Sequence, residues 1–192
     1  WRVPVDPTVQ GYQFRDQSDR EYFAAGISGK LLPVVTKDES SSLRSETGAD
    51  YIVITHEDFY DAIQPLVTHR RNQGLDVVVA KITDVYDEFS GGVSDPLAIR
   101  EFLKYAYQNW DPKPRYVLLV GDATYDYKDH LGFGANNFVE NYIPTYLYDF
   151  VGLGEVPSDN WFVDVEEEDT DDDGLPDGLP EVAIGRIPAK FP

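Results

Sequence analysis

A short acidic segment in the sequence, DTDDDGLPD, has the residue types and the spacing of a calcium-binding loop. Its side-chain ligands would be the carboxylates at loop positions 1, 3, 5 and 9, which are Asp169, Asp171, Asp173 and Asp177. Ca²⁺ takes about six to eight oxygen ligands, and alternate carboxylates around a tight glycine turn can supply them. Gly174 stands at position 6, and the backbone carbonyl of Leu175 would fill position 7. We expect calcium to bind here and to order residues 164–181.

The loop departs from the EF-hand pattern at two points. Position 12, where an EF-hand places a bidentate glutamate, is Pro180, although Glu181 could substitute after a small shift. No helical pattern flanks the segment, which is more similar to the DxDxDGxxD loops of extracellular calcium-binding repeats. The alternative is a solvated acidic loop without a metal. Residues 155–181 hold twelve Asp and Glu and no Lys or Arg, and the repulsion among these carboxylates favours the metal interpretation.

The sequence has only three histidines, so the acid–base candidates can be enumerated. His56 follows a predicted strand, where α/β folds place ligands, but a role as a cap before the next helix is favoured. His69 is expected on the protein surface. His130 follows three acids that could form a metal or acid–base cluster with it: Asp122, Asp126 and Asp129. Their spacing matches no zinc or two-metal template, and Asp122 is better explained as the cap of a strand end.

The sequence lacks the motifs of several other kinds of catalytic and binding site. It has no cysteine, no GxSxG motif and no glycine-rich phosphate loop between a strand and a helix. The net charge of −19 disfavours nucleic acids and anionic membrane surfaces as partners, and no apolar run approaches the roughly 18 residues of a membrane span. With 42% hydrophobic and 14% aromatic residues, the chain is expected to fold.

Hydrophobic patterns predict an α/β fold. We expect strands at 51–55, 75–82, 115–120 and 181–186, with helices at 58–73 and 95–110. Pro65 should kink or divide the first helix, Gly74 should end it, and residues 83–92 are expected to form a polar loop. Short connections between alternating strands and helices indicate a three-layer sandwich, with a mainly parallel sheet and helices on both faces.

The N-terminal residues show weaker secondary-structure patterns than the rest of the chain. Residues 1–48 are expected to form an N-terminal extended arm and linker, and residues 49–192 the α/β domain. After Asp122 about 60 residues lack strong periodicity, which is typical of a functional or lid-like excursion. The sequence has no methionine and begins at Trp1, so we expect a processed chain or a fragment.

Several blocks in order resemble the gingipain-like cysteine peptidases, from about residue 49 to residue 188. The blocks are ADYIVITHEDF, HRRNQGLDVVV, DVYDEFSGG, DPLAIREFLKYAY, PRYVLLVGDATYDYKD, NYIPTY, SDNWF and PEVAIGRIP. The resemblance implies a caspase-like α/β fold and a secreted or cell-surface endopeptidase that is often stabilised by calcium. It also implies two α/β subdomains side by side, with a catalytic Cys–His pair that follows the IGR strand.

Because the sequence has no cysteine, the resemblance implies the N-terminal subdomain of such an enzyme, which is inactive alone. No catalytic residue is carried over to this chain. The expected partners are a C-terminal catalytic half of the same protein and, through the parent, protein substrates. An alternative is a calcium-stabilised, non-catalytic protein-interaction module. A metal hydrolase built on Asp122, Asp126 and His130 is the least favoured possibility.

Overall fold

The structure is a computed structural model, which describes residues 6–8, 11–13, 40–128, 130, 141–150, 152, 154–165 and 180–190. The chain divides into two compact units, residues 1–38 and 39–192. In the first unit the described residues are two short antiparallel strands, β1 (Asp6–Thr8) and β2 (Gly11–Gln13). The predicted boundary at residue 48 between an arm and the α/β domain stays a prediction.

The second unit alternates strands and helices along most of its length. In chain order its elements are β3 (Tyr51–Thr55), α1 (Tyr60–Asn72), β4 (Val77–Lys81), α2 (Ile82–Ser90), α3 (Pro96–Asn109), β5 (Tyr116–Val120), β6 (Tyr146–Phe150), β7 (Gly154–Ser158) and β8 (Ala183–Ile187). Four of these strands form a parallel sheet in the order β4-β3-β5-β8. The remaining two, β6 and β7, form an antiparallel hairpin.

Helices cover both faces of the parallel sheet. Alternate residues of β3 point in opposite directions, so Ile52 and Ile54 pack against α2 and α3, whereas Tyr51 and Val53 pack against α1. All five residues of β3 are buried, as expected for a central strand covered on both sides. This arrangement confirms the predicted three-layer α/β fold. None of the described helices is long and apolar enough to cross a membrane.

The predicted helix ends agree with the structure, and the proline that was expected to kink or divide the first helix does not divide it. Gly74 has a φ of 87° and follows the end of α1, and the Asp95 carboxylate accepts a hydrogen bond from the Leu97 N–H at 2.9 Å at the start of α3. Pro65 lies inside α1, and the helix is continuous from Tyr60 to Asn72. Packing of Ile63 and Val67 against the sheet stabilises the turns on either side of the proline.

Two elements differ from the sequence-based expectation. Residues 83–92 were expected to be a polar loop, but α2 occupies Ile82–Ser90, because Ile82 and Val85 are buried on one side of it. The irregular stretch after Asp122 contains the β6–β7 hairpin, for which the sequence shows no clear alternation. The apolar side chains of α2 recur at helical spacing among its polar residues, at Ile82, Val85, Tyr86 and Phe89, so its local signal is present in the sequence. The hairpin, in contrast, has a weak local signal and depends on the pairing of its two strands.

The residues just before β3 pack onto α2. Leu43 is buried, and the Glu88 carboxylate accepts hydrogen bonds from the backbone N–H groups of Leu43 and Arg44, at 2.6 and 2.9 Å. The Arg44 guanidinium lies 4.3 Å from the ring centroid of Phe89. These contacts hold the segment that precedes β3 against α2.

Candidate functional site

The carboxyl ends of the parallel strands form the edge at which α/β folds usually bind ligands. At this edge the chain leaves β5 through Gly121 and Asp122. The Asp122 backbone N–H donates to the Ala189 carbonyl at 2.9 Å, and its carbonyl accepts from the N–H groups of Tyr142 and Ile143 at 3.1 and 3.2 Å. The Asp122 carboxylate lies 3.1 Å from Lys190 Nζ. Asp122 therefore caps the strand end, as the sequence indicates.

Gly121 is needed at this edge because the backbone approaches closely. Its φ is 143°, which L side chains rarely adopt, and a Cβ added there would lie 2.6 Å from the Cβ of Tyr142. The absence of a side chain lets the segment that contains Tyr142 and Ile143 lie directly against the end of β5.

A partly buried arginine in β8 connects the elements that meet at this edge. The Arg186 guanidinium donates from Nε and Nη2 to the two Asp159 carboxylate oxygens, at 2.8 and 2.7 Å. Nη1 donates to the carbonyls of Gly121 and Ile143 at 2.9 and 2.6 Å, and Nη2 also donates to the Pro144 carbonyl at 3.1 Å. This bidentate ion pair joins β8, the end of β5 and the segment after β7.

A cavity of about 410 Å³ lies next to this ion pair. Its lining combines the segment after β5, the β6–β7 hairpin and the ion pair: Ala123, Thr124, Tyr125, Thr145, Leu147, Pro157, Asp159 and Arg186. Leu147 and Pro157 are partners in the hairpin register, so the hairpin forms one wall. The cavity is partly open and largely apolar, with its charged groups already paired. It is the candidate binding site at the carboxyl edge.

Two exposed tyrosines, Tyr125 and Tyr148, lie beside or within the β6–β7 hairpin. The Tyr125 hydroxyl donates to the Glu155 carboxylate, and this hydrogen bond together with the negative charge of Glu155 raises the pKa of Tyr125. Partial burial raises the pKa of Tyr148, and the negative charge of Asp164 acts in the same direction. Tyr125, Tyr148 and Val156 are exposed. Both phenols stay protonated at neutral pH, so they can donate hydrogen bonds.

The structure accounts for each histidine. His56 Nδ1 accepts a hydrogen bond from the Asp58 N–H at 3.3 Å, which confirms the cap at the start of the next helical turn. The His56 ring lies edge-on to Tyr142, with 5.0 Å between centroids. His69 is exposed, as predicted. His130 contacts Asp126 through its backbone N–H, at 2.8 Å.

The structure supplies no metal cluster around His130 in the part of the chain that it describes. Within that part no three His, Asp or Glu side chains are grouped to hold an ion, and Asp129 lies outside it. The five expected calcium ligands also lie outside the described residues: Asp169, Asp171, Asp173, Leu175 and Asp177. The two ends of their segment are described. The Glu181 N–H donates to the Val163 carbonyl at 3.2 Å, and the Val165 N–H donates to the Glu181 carboxylate at 2.7 Å.

Sequence reasoning did not identify Arg186 and Asp159 as a pair. A signal was present, because Arg186 lies in the apolar strand AIGRI and an arginine in such a strand requires buried acceptors. The partner could not be identified, since Asp159 is one of twelve acids between residues 155 and 181. The cavity beside the Arg186–Asp159 pair can bind and orient a ligand, but the chain has no cysteine to act as a thiolate nucleophile.

Comparison with known proteins agrees with this architecture. One solved structure with the same fold is that of dimeric latent PorU from Porphyromonas gingivalis, with a TM-score of 0.63 and 24% sequence identity. The match covers 78% of this chain and 15% of the PorU chain, so this chain corresponds to a small part of that protein. No curated protein sequence matches this chain.

The family assignment comes from the sequence as a whole. The model of Peptidase family C25 matches residues 44–192, a range that includes the four-stranded sheet, the three α-helices among the described residues and the Arg186–Asp159 pair. This match confirms the resemblance to the gingipains that the sequence blocks indicate. The chain belongs to Peptidase family C25, a family of cysteine peptidases.

Proposed function

We propose that this chain is the N-terminal, non-catalytic subdomain of a secreted, gingipain-like cysteine endopeptidase and that it is inactive by itself. The observation that carries the proposal is a family match over residues 44–192 in a sequence without cysteine. A cysteine peptidase needs a thiolate to attack the peptide carbonyl and a histidine to move the proton. No thiolate can form in this chain, and His56 is engaged as a cap.

The role that remains for this subdomain is to support and position a catalytic half. Among the described strands, β8 forms one edge of the parallel sheet and β4 the other, and the alternate β8 residues Ala183, Gly185 and Ile187 are exposed. Ile187 has 41% of its surface accessible, although it is a large apolar residue at the carboxyl edge. An exposed strand edge with apolar side chains is a surface on which a second α/β subdomain can pack.

The first experiment compares the 192-residue chain with the whole parent protein. We expect the chain alone to hydrolyse no fluorogenic peptide, and the parent to hydrolyse peptides and lose activity when iodoacetamide alkylates its cysteine. Hydrolysis by the chain alone would overturn the proposal. If a chelator or His130→Ala abolished that hydrolysis, the metal-hydrolase alternative would replace it.

The second experiment tests the role of β8. In the parent protein, Ile187→Asp should reduce peptidase activity because it places a charge at the proposed packing surface. In the isolated chain the same change should leave stability almost unaltered, since Ile187 is already exposed. Val93→Asp is a matched control, because Val93 is 55% exposed and lies in the connection between α2 and α3. Equal loss of activity in both variants would contradict the proposed packing.

We also propose that calcium binds the acidic loop and orders residues 164–181. Two observations support this proposal: the DxDxDGxxD spacing of Asp169, Asp171, Asp173 and Asp177, and the hydrogen bonds between Glu181 and residues 163–165, which hold the two ends of the segment together. Such loops in extracellular modules bind Ca²⁺ at about 10⁻⁴–10⁻³ M. This affinity agrees with the secreted or cell-surface location that we propose.

The calcium proposal is tested by thermal unfolding. Adding millimolar Ca²⁺ to EDTA-treated protein should raise the melting temperature, because the ion binds the folded loop and not the unfolded chain. Asp171→Asn with Asp173→Asn should abolish the rise. A control variant, Asp76→Asn, removes an exposed carboxylate elsewhere and should keep the full rise. An unchanged melting temperature in the unmodified protein would show that the loop is only a solvated acidic segment.

A further inference from the structure

A second cavity, of about 380 Å³, lies at the opposite end of the sheet, where β3 and β5 begin. Its lining residues come from the two strand starts and the end of α1: Tyr51, Arg70, Gln73, Leu75, Arg115 and Tyr116. Tyr51 and Tyr116 are partners in the parallel register, and their ring centroids are 6.0 Å apart. The two tyrosines therefore form one aromatic side of the cavity.

Two arginines flank this aromatic pair. The Arg70 guanidinium lies 5.5 Å from the centroid of the Tyr51 ring, and the Arg115 guanidinium lies 5.3 Å from the centroid of the Tyr116 ring. The cavity thus presents a row of cation, ring, ring and cation. Such rows of positive charge and aromatic surface bind anions while packing against the group that carries them.

The donors of both guanidiniums are incompletely used. Arg70 donates from Nη1 to the Gln73 side chain at 3.0 Å, but its Nε is buried without an acceptor in the described part of the chain. Arg115 lies 3.8 Å from the Asp50 carboxylate and reaches the Tyr116 hydroxyl at 3.5 Å, which is a long hydrogen bond. The other oxygen of Asp50 accepts the Asp76 N–H at 3.2 Å, so that carboxylate is shared between two donors.

The helix dipole accounts for the position of one of the two arginines and not for that of the other. Basic residues in the last turn of a helix interact favourably with its dipole, and this accounts for Arg70 near the end of α1. Arg115 precedes β5 and belongs to no helix, so the dipole gives no reason for a second cation at the same cavity. In a chain with a net charge of −19, this pair of arginines is a local exception to the acidic surface.

We propose that this cavity binds a carboxylate of a peptide, either an acidic side chain or a free C-terminus, at the Arg115 guanidinium, with Arg70 adding positive charge beyond the two tyrosine rings. The planar guanidinium fork matches a carboxylate, and the tyrosine rings provide an apolar surface for the adjoining part of the peptide. The surrounding negative charge repels nucleic acids and other highly charged anions more strongly than a single carboxylate, which favours a peptide ligand. This inference does not depend on the peptidase proposal.

Side-chain NMR of the 192-residue chain tests the inference by following the Nε–H signals of Arg70 and Arg115. The probes are a capped tripeptide with a central glutamate, a glycine tripeptide with a free C-terminal carboxylate, a capped tripeptide with a central glutamine, and inorganic phosphate. Saturable shifts with either carboxylate peptide support the proposal, and the stronger of the two identifies the source of the carboxylate. The absence of shifts with both, equal shifts with the glutamine peptide, or tighter binding of phosphate would overturn it.

Matched variants separate a defined site from general attraction between charges. Arg115→Gln should weaken peptide binding about tenfold or more, because it removes a charged hydrogen-bond donor. Arg115 is 62% exposed, so this variant is expected to fold normally. The control is Lys113→Gln, which removes the same charge from an exposed residue two positions away and should change the affinity less than about twofold. Equal effects of the two variants would refute a specific site.

Discussion

Replacement of Arg186 by glutamine tests whether the ion pair at the carboxyl edge holds the sheet and the neighbouring segments together. The change removes the cation that binds both carboxylate oxygens of Asp159. It also removes Nη1, which donates to the carbonyls of Gly121 and Ile143, and Nη2, which donates to the Pro144 carbonyl. A glutamine side chain is shorter and uncharged, so it cannot restore these five hydrogen bonds.

The expected loss of stability follows from burial. The side chains of Arg186 and Asp159 are 13% and 24% exposed, so solvent screens the pair only in part. Removing one partner of a buried ion pair costs about 3–5 kcal/mol, since the other charge is left uncompensated. We expect about 3 kcal/mol, at the lower end, because Asp159 keeps some contact with water. This is a large share of the roughly 5–15 kcal/mol that stabilises a folded domain.

Urea unfolding followed by tryptophan fluorescence measures this loss. Trp161 is a suitable reporter because its ring stacks on Tyr146 at 3.7 Å in the segment that Arg186 anchors. The control is Arg115→Gln, which should cost less than about 1 kcal/mol because its ion pair is exposed and long. If Arg186→Gln lowered the free energy of unfolding by no more than the control does, the assigned role of the pair would be wrong. Adding Asp159→Asn to Arg186→Gln should recover part of the loss, since it removes the unpaired carboxylate.

Three further predictions concern single positions. Gly121→Ala should destabilise the chain by about 2 kcal/mol or more, because φ is 143° and the new Cβ would collide with Tyr142. An unchanged melting temperature in thermal unfolding would contradict this prediction. Burial raises the pKa of Tyr86 to about 12, so its contribution to stability should be complete below pH 10 and lost between pH 10 and about 12. Phenolate absorbance should show a tyrosine that titrates near pH 12 and that is missing in Tyr86→Phe. Phe102→Ala should lower the free energy of unfolding in urea by about 3–5 kcal/mol, because the ring is fully buried. Leu97→Ala, at a 49% exposed site, should lower it by less than about 1 kcal/mol. Equal losses in the two variants would refute the assignment of Phe102 to the core.

The sequence predicts the strands and helices whose residue pattern can be recognised within a short stretch of the chain. The apolar run of β3 is wholly buried in the sheet and that of β5 mostly so, and such runs leave few alternatives to a central parallel strand. Asp95 and Pro96 mark the start of α3 because a cap and a proline at the first position act within one turn. These features require no knowledge of the rest of the fold.

Helix α2 has a local signal, because Ile82, Val85, Tyr86 and Phe89 recur at the spacing of one helical face, although the acidic residues between them make the segment resemble a polar loop. Pairings between distant residues leave no such local signal. The Arg186–Asp159 pair joins residues that are 27 positions apart, and nothing local selects Asp159 from the other acids. The acidic loop, in contrast, is defined entirely by spacing, and its metal remains a prediction.

The placement of β8 has a consequence for the order in which the domain can be assembled during synthesis. Arg186 contacts Gly121, 65 residues earlier in the chain, so the ribosome must release almost the whole α/β unit before the fourth strand can dock. Closing a loop of that length is slow compared with forming a helix, and it takes place after β3, β4 and β5 are available to pair. During that interval the outer side of β5 lacks its neighbour, and the nascent chain is then most vulnerable to pairing with other molecules.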